Sequence, residues 1–207
     1  MQIYSFEGLT PVVSPSAYVH PSAILIGDVI IGDHCYVGPA ASLRGDFGRI
    51  IVHQGSNIQD TCVLHSFPKI DAVIEENGHI GHGAVIHACH IGKNVMVGMN
   101  AVIMDGARIG EYSIVAATSF VKAKFNCPPR TLIGGTPAKI MRQLCEQDIN
   151  WKKRATQEYH KLTLRCMKSI QPVEALTEVE PGRKRLQDAK DMEPLHQLRE
   201  RTTGDQR

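Results

Sequence analysis

The chain has 207 residues, of which 43% are hydrophobic and 21% charged. That is enough apolar side chain for a sizeable core in one or two domains, and it excludes a disordered chain. Lys and Arg total 23 against 21 Asp and Glu, a net charge of +2, so no broad basic field marks a nucleic acid or an anionic lipid surface as a partner.

From the N-terminus, Val13, Val19, Leu25, Ile31, Val37 and Leu43 fall on every sixth residue. Four residues after each of the first five stands Ala17, Ala23, Val29, Cys35 or Ala41, so each hexad offers one aliphatic and one compact side chain to a common interior. The count resumes at Val52, Ile58 and Leu64, with Ser56 and Cys62 in the small position. It returns at Ile91, Val97, Ile103, Ile109, Val115 and Val121, with Val95, Ala101, Ala107, Ser113 and Ser119. A period of six belongs to neither a helix nor a flat strand. Short strands, each followed by a corner, satisfy it, and three such sides close one coil of about 18 residues in a parallel β-helix. Gly32, Gly38, Gly92, Gly98 and Gly110 follow the aliphatic position and suit corners that need a positive φ or a close backbone approach.

The count breaks twice. Nine residues separate Leu43 from Val52, across Arg44, Gly45, Asp46, Phe47 and Gly48, and the polar stretch Ser66 to Asn77 reads as a loop leaving the repeat. Around Val85 and Ile86 the count continues from either side but not from both.

After Pro128 and Pro129 the repeat stops, which predicts three parts: a β-helix over 1–130, a connecting turn and C-terminal helix over 131–170, and a partly ordered tail over 171–207. Thr136 before Pro137 suits a helix N-terminus. Trp151, Ala155, Tyr159, Leu162, Cys166 and Ile170 share one helical face that would cover the β-helix flank or a partner subunit, with Lys152, Lys153 and Arg154 on the other side. No apolar run nears the roughly 18 residues of a membrane span, and the opening MQIYSFEGLTPVV lacks a leader pattern, so a cytoplasmic location is expected. The six cysteines form no CxxC pair and read as reduced thiols.

Ten histidines are many for this length. His20, His34, His53, His160 and His196 stand in corner, loop or helix contexts and read as solvated side chains. His65, His79, His82, His87 and His90 cluster about the irregular part of the repeat, and any three of them could supply a catalytic zinc site with one open position. His82 and His87 are five residues apart, up to about 16 Å in extended chain at roughly 3.3 Å per residue. One chain brings them to one ion only with difficulty. A symmetric oligomer could set His82 of one subunit beside His65 and His87 of the next. Arg44, Asp46, Gln59 and Asp60 sit where the repeat is interrupted and can form charge-assisted bonds that fix an interface.

The motifs Arg44-Gly45-Asp46, Asn57-Ile58-Gln59-Asp60, His65, and Gly81-His82 followed by His87 resemble the gamma-class carbonic anhydrases and their hexapeptide-repeat relatives. The resemblance continues through residues 98–110, 120–124 and 134–139 and into EVEPGRKRL at 178–186, where it is nearest to a phenylacetate-degradation branch, with a carnitine-operon branch close by. It implies an all-β solenoid, a left-handed parallel β-helix with a C-terminal α-helix, assembled as a homotrimer. It further implies Zn2+ or Fe2+ at each subunit interface, held by His65 and His87 of one chain and His82 of its neighbour. Arg44 and Asp46 would be an intersubunit ion pair with Asp60 near it. Gln59 would position the metal-bound water, supported by Asn57. Prototype members carry glutamates beside the metal to export protons. Here Phe47 follows the RGD motif and the loop after His65 reads Ser66, Phe67, Pro68, Lys69. A thiolate leaves without fast proton export, so that difference favours hydroxide attack on an acyl-CoA thioester over hydration of CO2. A hexapeptide acyltransferase and a non-catalytic accessory protein are the rival classes. No motif marks a CoA pocket.

Overall fold

The computed structural model describes residues 1–186. Its body is a left-handed parallel β-solenoid built from strands of mostly two or three residues, closed by one helix, Glu146–Ser169. Strands Tyr18–Val19, Tyr36–Val37, Asn57–Ile58, His79–Ile80, Met96–Val97, Ile114–Val115 and Thr131–Gly135 stack in parallel on one face. The other two faces share a sheet, because Ile24–Ile31 and Ser42–Val52 run around a corner without a break.

Stacking is residue on residue, which is why the period of six is visible in the sequence. Leu25, Leu43, Leu64, Ile86, Ile103 and Val121 lie in register on successive coils, and each is fully buried. Each large aliphatic side chain contributes about 1.5–3 kcal/mol by leaving water. The compact positions fill the space between them, with Ala23, Cys35, Ala41, Cys62 and Ala101 all at 0% exposure. All six cysteines are free thiols, and four of them are buried.

The ambiguous register at Val85 and Ile86 resolves by pairing. Ile86 aligns with Leu64 and points inward, while Val85 aligns with Val63. The chain therefore takes nine residues from Leu43 to Val52, ten from Leu64 to Ile74 and five from Ile86 to Ile91, where other coils take six. All three irregularities fall at the same corner of the triangular section.

Several expectations change. Only part of the stretch Ser66 to Asn77 leaves the coil, because Ala72–Ile74 returns as a strand with Ala72 and Ile74 buried. The corner glycines serve close approach and not a positive φ: a Cβ on Gly98 would sit 2.4 Å from the backbone N of Ala117, and one on Gly110 2.4 Å from that of Pro129. The positive φ falls two residues later, on His34, Ala40, Asn94, Asn100 and Tyr112. Thr136 and Pro137 start no helix. They occupy the turn between Thr131–Gly135 and an antiparallel strand, Ala138–Gln143, that ends the parallel stack. The helix begins ten residues later, where Asp148 accepts from the Cys145 backbone N–H at 3.1 Å and from Arg142 Nη1 at 2.6 Å.

The helix lies on the face carrying Tyr18 and Tyr36, whose rings stack at 5.5 Å, and Tyr159 meets Tyr36 edge-on at 5.3 Å. Lys152, expected on the solvent side, is 2% exposed and donates from Nζ to the Asn77 carbonyl at 2.6 Å. His160, expected to be solvated, donates from Nε2 to the Gly55 carbonyl at 2.7 Å. The buried face is thus rotated toward Ile149, Lys152, Thr156 and Thr163 because polar corner carbonyls of the solenoid, and not only apolar surface, receive it. Residues 171–186 of the expected tail carry no helix or strand and are exposed. Residues 187–207, with His196, lie outside the described residues. No described helix is long and apolar enough to cross a membrane.

Candidate metal centre

The irregular corner carries two in-register histidines. Strands Val63–His65 and Val85–His87 pair so that His87 lies directly on His65, with Arg44 on the other side of His65. His65 Nδ1 and His87 Nε2 face each other at 3.1 Å. The outward nitrogens are held by carboxylates: His65 Nε2 by Asp46 Oδ1 at 2.9 Å, and His87 Nδ1 by Asp105. Asp46 is also bound by Arg44 Nη1 at 2.6 Å. Burial alone would raise the Asp46 carboxyl, but the Arg44 and His65 hydrogen bonds outweigh it and hold the group below the usual carboxylate range. Within the chain Arg44 and Asp46 bond each other, and the pair between chains that the resemblance implies involves a second subunit.

This arrangement fixes the chemistry of the inner nitrogens. A carboxylate on the outer nitrogen takes that nitrogen's proton as a hydrogen bond and leaves the inner one as a lone pair. Two lone pairs at 3.1 Å repel unless a cation, a proton or a metal ion, lies between them. Two nitrogens bound at about 2.0–2.1 Å to a tetrahedral zinc stand roughly 3.3 Å apart, so the pair fits two of the three ligands of a catalytic site. Phe47 and Phe67 flank it, with ring centroids 5.4 Å from His65 and 6.3 Å from His87.

His82 lies elsewhere. It occupies the corner at the opposite end of the strand Val85–His87, where its Nδ1 meets Asp60 Oδ2 at 2.6 Å. Among the described residues no cluster of three or more His, Cys, Asp or Glu side chains could hold a metal ion. One chain therefore carries two separate sets: Arg44, Asp46, His65 and His87 at one corner, and Asn57, Gln59, Asp60 and His82 around another.

Gln59 is held at the second set by three contacts. Its Nε2 donates to Asn57 Oδ1 at 2.9 Å and to His79 Nε2 at 2.7 Å, which leaves Oε1 to accept the His82 backbone N–H at 3.2 Å. His79 lies under the helix, with Thr156 Oγ1 at 3.4 Å from Nδ1 and the Tyr159 ring edge-on at 5.3 Å. Burial first, then the positive charge of Lys152 and of His82, push its pKa down to about 3, so it stays neutral and can accept from Gln59. His79 belongs to this supporting role and not to the ligand candidates, and His90 pairs with Glu75 at 3.1 Å on a different face.

Asp105 escaped sequence reasoning because the coil that reaches it is shortened: Ile86 aligns with Ile103, an offset of 17, so Asp105, 18 residues after His87, stands one position beyond the register equivalent of that histidine. The role of His79 was hidden too, because it depends on where the helix docks.

The sequence matches the family described as bacterial transferase hexapeptide (six repeats) over residues 88–123. It is 54% identical over 194 residues to the carnitine operon protein CaiE of Salmonella agona (strain SL483), covering 94% of this chain and 98% of that one. A Bacillus cereus protein assigned as an acetyltransferase has a similar structure, with TM-score 0.78 and 32% identity over 79% of this chain and 95% of that one. A hexapeptide transferase family protein from Anaplasma phagocytophilum gives TM-score 0.77 and 34% identity, covering 79% and 97%.

Proposed function

The chain belongs to the hexapeptide-repeat family that includes the carnitine operon protein CaiE, and on that basis we propose that it is a metal-dependent hydrolase of acyl-CoA thioesters, active as a homotrimer. The observation that carries the reading is the facing His65 and His87 pair, each ring backed by a carboxylate. Two ligands at one corner and a third candidate, His82, at another suit a threefold assembly in which each interface joins one set to the other. These three imidazoles would hold a divalent zinc or iron ion, which when bound would supply Lewis acidity toward a water and a carbonyl oxygen near neutral pH.

The residues of the chain do the rest. Asp46 and Asp105 keep His65 and His87 in the tautomers that present inner lone pairs. Gln59, with its NH2 group taken by Asn57 and His79, presents only its carbonyl oxygen toward His82, so it orients a water by accepting its proton in a hydrogen bond. Phe47 and Phe67 set apolar rings beside the histidine pair, which suits an acyl group, and neither ring titrates to carry protons away. A thiolate leaving group tolerates that lack, whereas fast CO2 hydration does not. The operon name of the relatives suggests a substrate connected with carnitine. The phenylacetate assignment rests on sequence resemblance alone.

A second reading is acyl transfer, favoured by the transferase descriptions of the family and of the two structural neighbours. The test is one series: metal-loaded and chelated protein, and His82→Ala, assayed with a panel of acyl-CoA thioesters in water, the same thioesters with an amine or alcohol acceptor, and CO2. Metal-dependent thioester cleavage lost with the metal in His82→Ala is the expected result. Metal-independent transfer to the acceptor would establish the second reading, and fast CO2 hydration without thioester cleavage would make the protein a carbonic anhydrase.

A further inference from the structure

Between the helix and the face of strands His79–Ile80 and Met96–Val97 lies a pocket of about 400 Å3. Gln59 and His82 are among its lining residues, so it adjoins the second residue set described above. Met96, Met99, Trp151 and Tyr159 line it too, and Gly81 and Gly98 add no side chains. Those two glycines are required by coil stacking, since a Cβ on either would meet the next coil's backbone within 3 Å. Coil packing therefore keeps side chains out of the pocket at these two positions.

The lining also decides the charge of an occupant. Among the described lining residues there is no Lys or Arg to receive an anion. The one carboxylate, Glu158, is bonded to Lys161 Nζ at 2.7 Å, so a neighbouring positive charge opposes its pull on a cation. His79 contributes no charge, because its buried ring is neutral, and His82, the other imidazole of the lining, is paired with Asp60 at 2.6 Å. What remains is a flat, polarisable wall of two aromatic rings and two thioethers, suited to an uncharged apolar group.

We propose that this pocket binds the apolar acyl portion, alkyl or aryl, of an acyl substrate, seated between Trp151 and Tyr159 with its carbonyl end toward Gln59 and His82. The inference rests on the thioester reading for the identity of the substrate, but binding in the pocket does not need the metal or turnover. Trp151 is the single tryptophan of the chain, so its emission reports occupancy directly.

The experiment titrates full-length protein, metal-loaded and chelated, with benzamide, hexanamide, and the isosteric pair choline and 3,3-dimethyl-1-butanol, following Trp151 emission. The expected result is a saturable change with the neutral probes in both protein forms, and at least tenfold weaker binding in Met99→Lys, a substitution at a side chain 54% exposed, with its melting temperature checked against the unmodified protein. Ala155→Leu, which fills the pocket from the helix side, is expected to weaken binding similarly, with its melting temperature checked. Choline binding more tightly than its neutral isostere would overturn the proposal in favour of a cation site, and no change with any neutral probe would overturn it outright. Binding of the amides by a protein that cleaves no thioester would leave the pocket standing and remove the hydrolase reading. Cleavage with an acyl preference unchanged by Met99→Lys and Ala155→Leu would do the reverse.

Discussion

Acid sensitivity follows from the one histidine that the helix seals in. His79 is buried, and its pKa falls from 6.5 to about 3, so below pH 6.5 the unfolded chain takes up a proton that the folded chain refuses. Stability is therefore complete above the unfolded pKa and declines as pH falls toward the folded one. At 1.36 kcal/mol per pH unit, the loss at pH 5 relative to pH 8 comes to about 2 kcal/mol from this residue alone. For a chain of this size that is roughly 4–8 °C in melting temperature. His79→Gln keeps a polar side chain beside Gln59 but carries no titrating ring. Calorimetric scans of both proteins at pH 8, 7, 6 and 5, at one protein concentration because assembly couples to stability, should show the unmodified chain losing that increment relative to the variant. Lys152, pushed down to about 7 by burial and by Lys153, acts in a separate window between 7 and 10.5. Parallel melting curves between pH 6.5 and 5 would mean that His79 is accessible or paired when protonated, and the packing of the helix on Gln59 would have to be read again.

Three further outcomes are expected. Gln59→Ala should retain the metal while turnover falls by about tenfold or more, since a group that orients water tunes the reaction without holding the ion; kcat and metal content measured on one preparation decide this. Asp105→Asn should weaken metal affinity by about 10–100-fold in competition with a chromogenic chelator, because His87 loses the carboxylate that sets its tautomer. Gly98→Ala should cost at least about 1–3 kcal/mol in urea unfolding, because its Cβ would lie 2.4 Å from the Ala117 backbone N with nothing flexible to yield.

The architecture was legible in the sequence because parallel coils place like on like. Leu25, Leu43, Leu64 and Ile86 contact one another in space through their equivalent positions in successive coils, so a local period reports a tertiary contact directly. The pairing of His87 with His65 spans 22 residues and the contact of His87 with Asp105 spans 18, both across the irregular corner, so neither follows from the period. What the sequence left open was whatever escapes the repeat. The corner that lengthens after Leu43 and Leu64 and shortens after Ile86 hid the register at Val85, since no period counts across an insertion.

The helix shows the other limit. Its apolar spacing located it, but not its docking angle, and Lys152 turned inward because the Asn77 carbonyl was there to accept it. The contact between Lys152 and Asn77 joins residues 75 positions apart, and that between His79 and Thr156 joins residues 77 apart. By itself, then, the sequence determined the coil, its core and the residue types gathered at the irregular corner. Only the tertiary structure decided which nitrogens face each other, that His82 stands at a different corner from His65 and His87, and that a neutral His79 holds Gln59. The physical reason is that periodic packing is encoded in local spacing, whereas the orientation of a hydrogen-bonded side chain depends on partners that only the docked helix and neighbouring coils bring within reach.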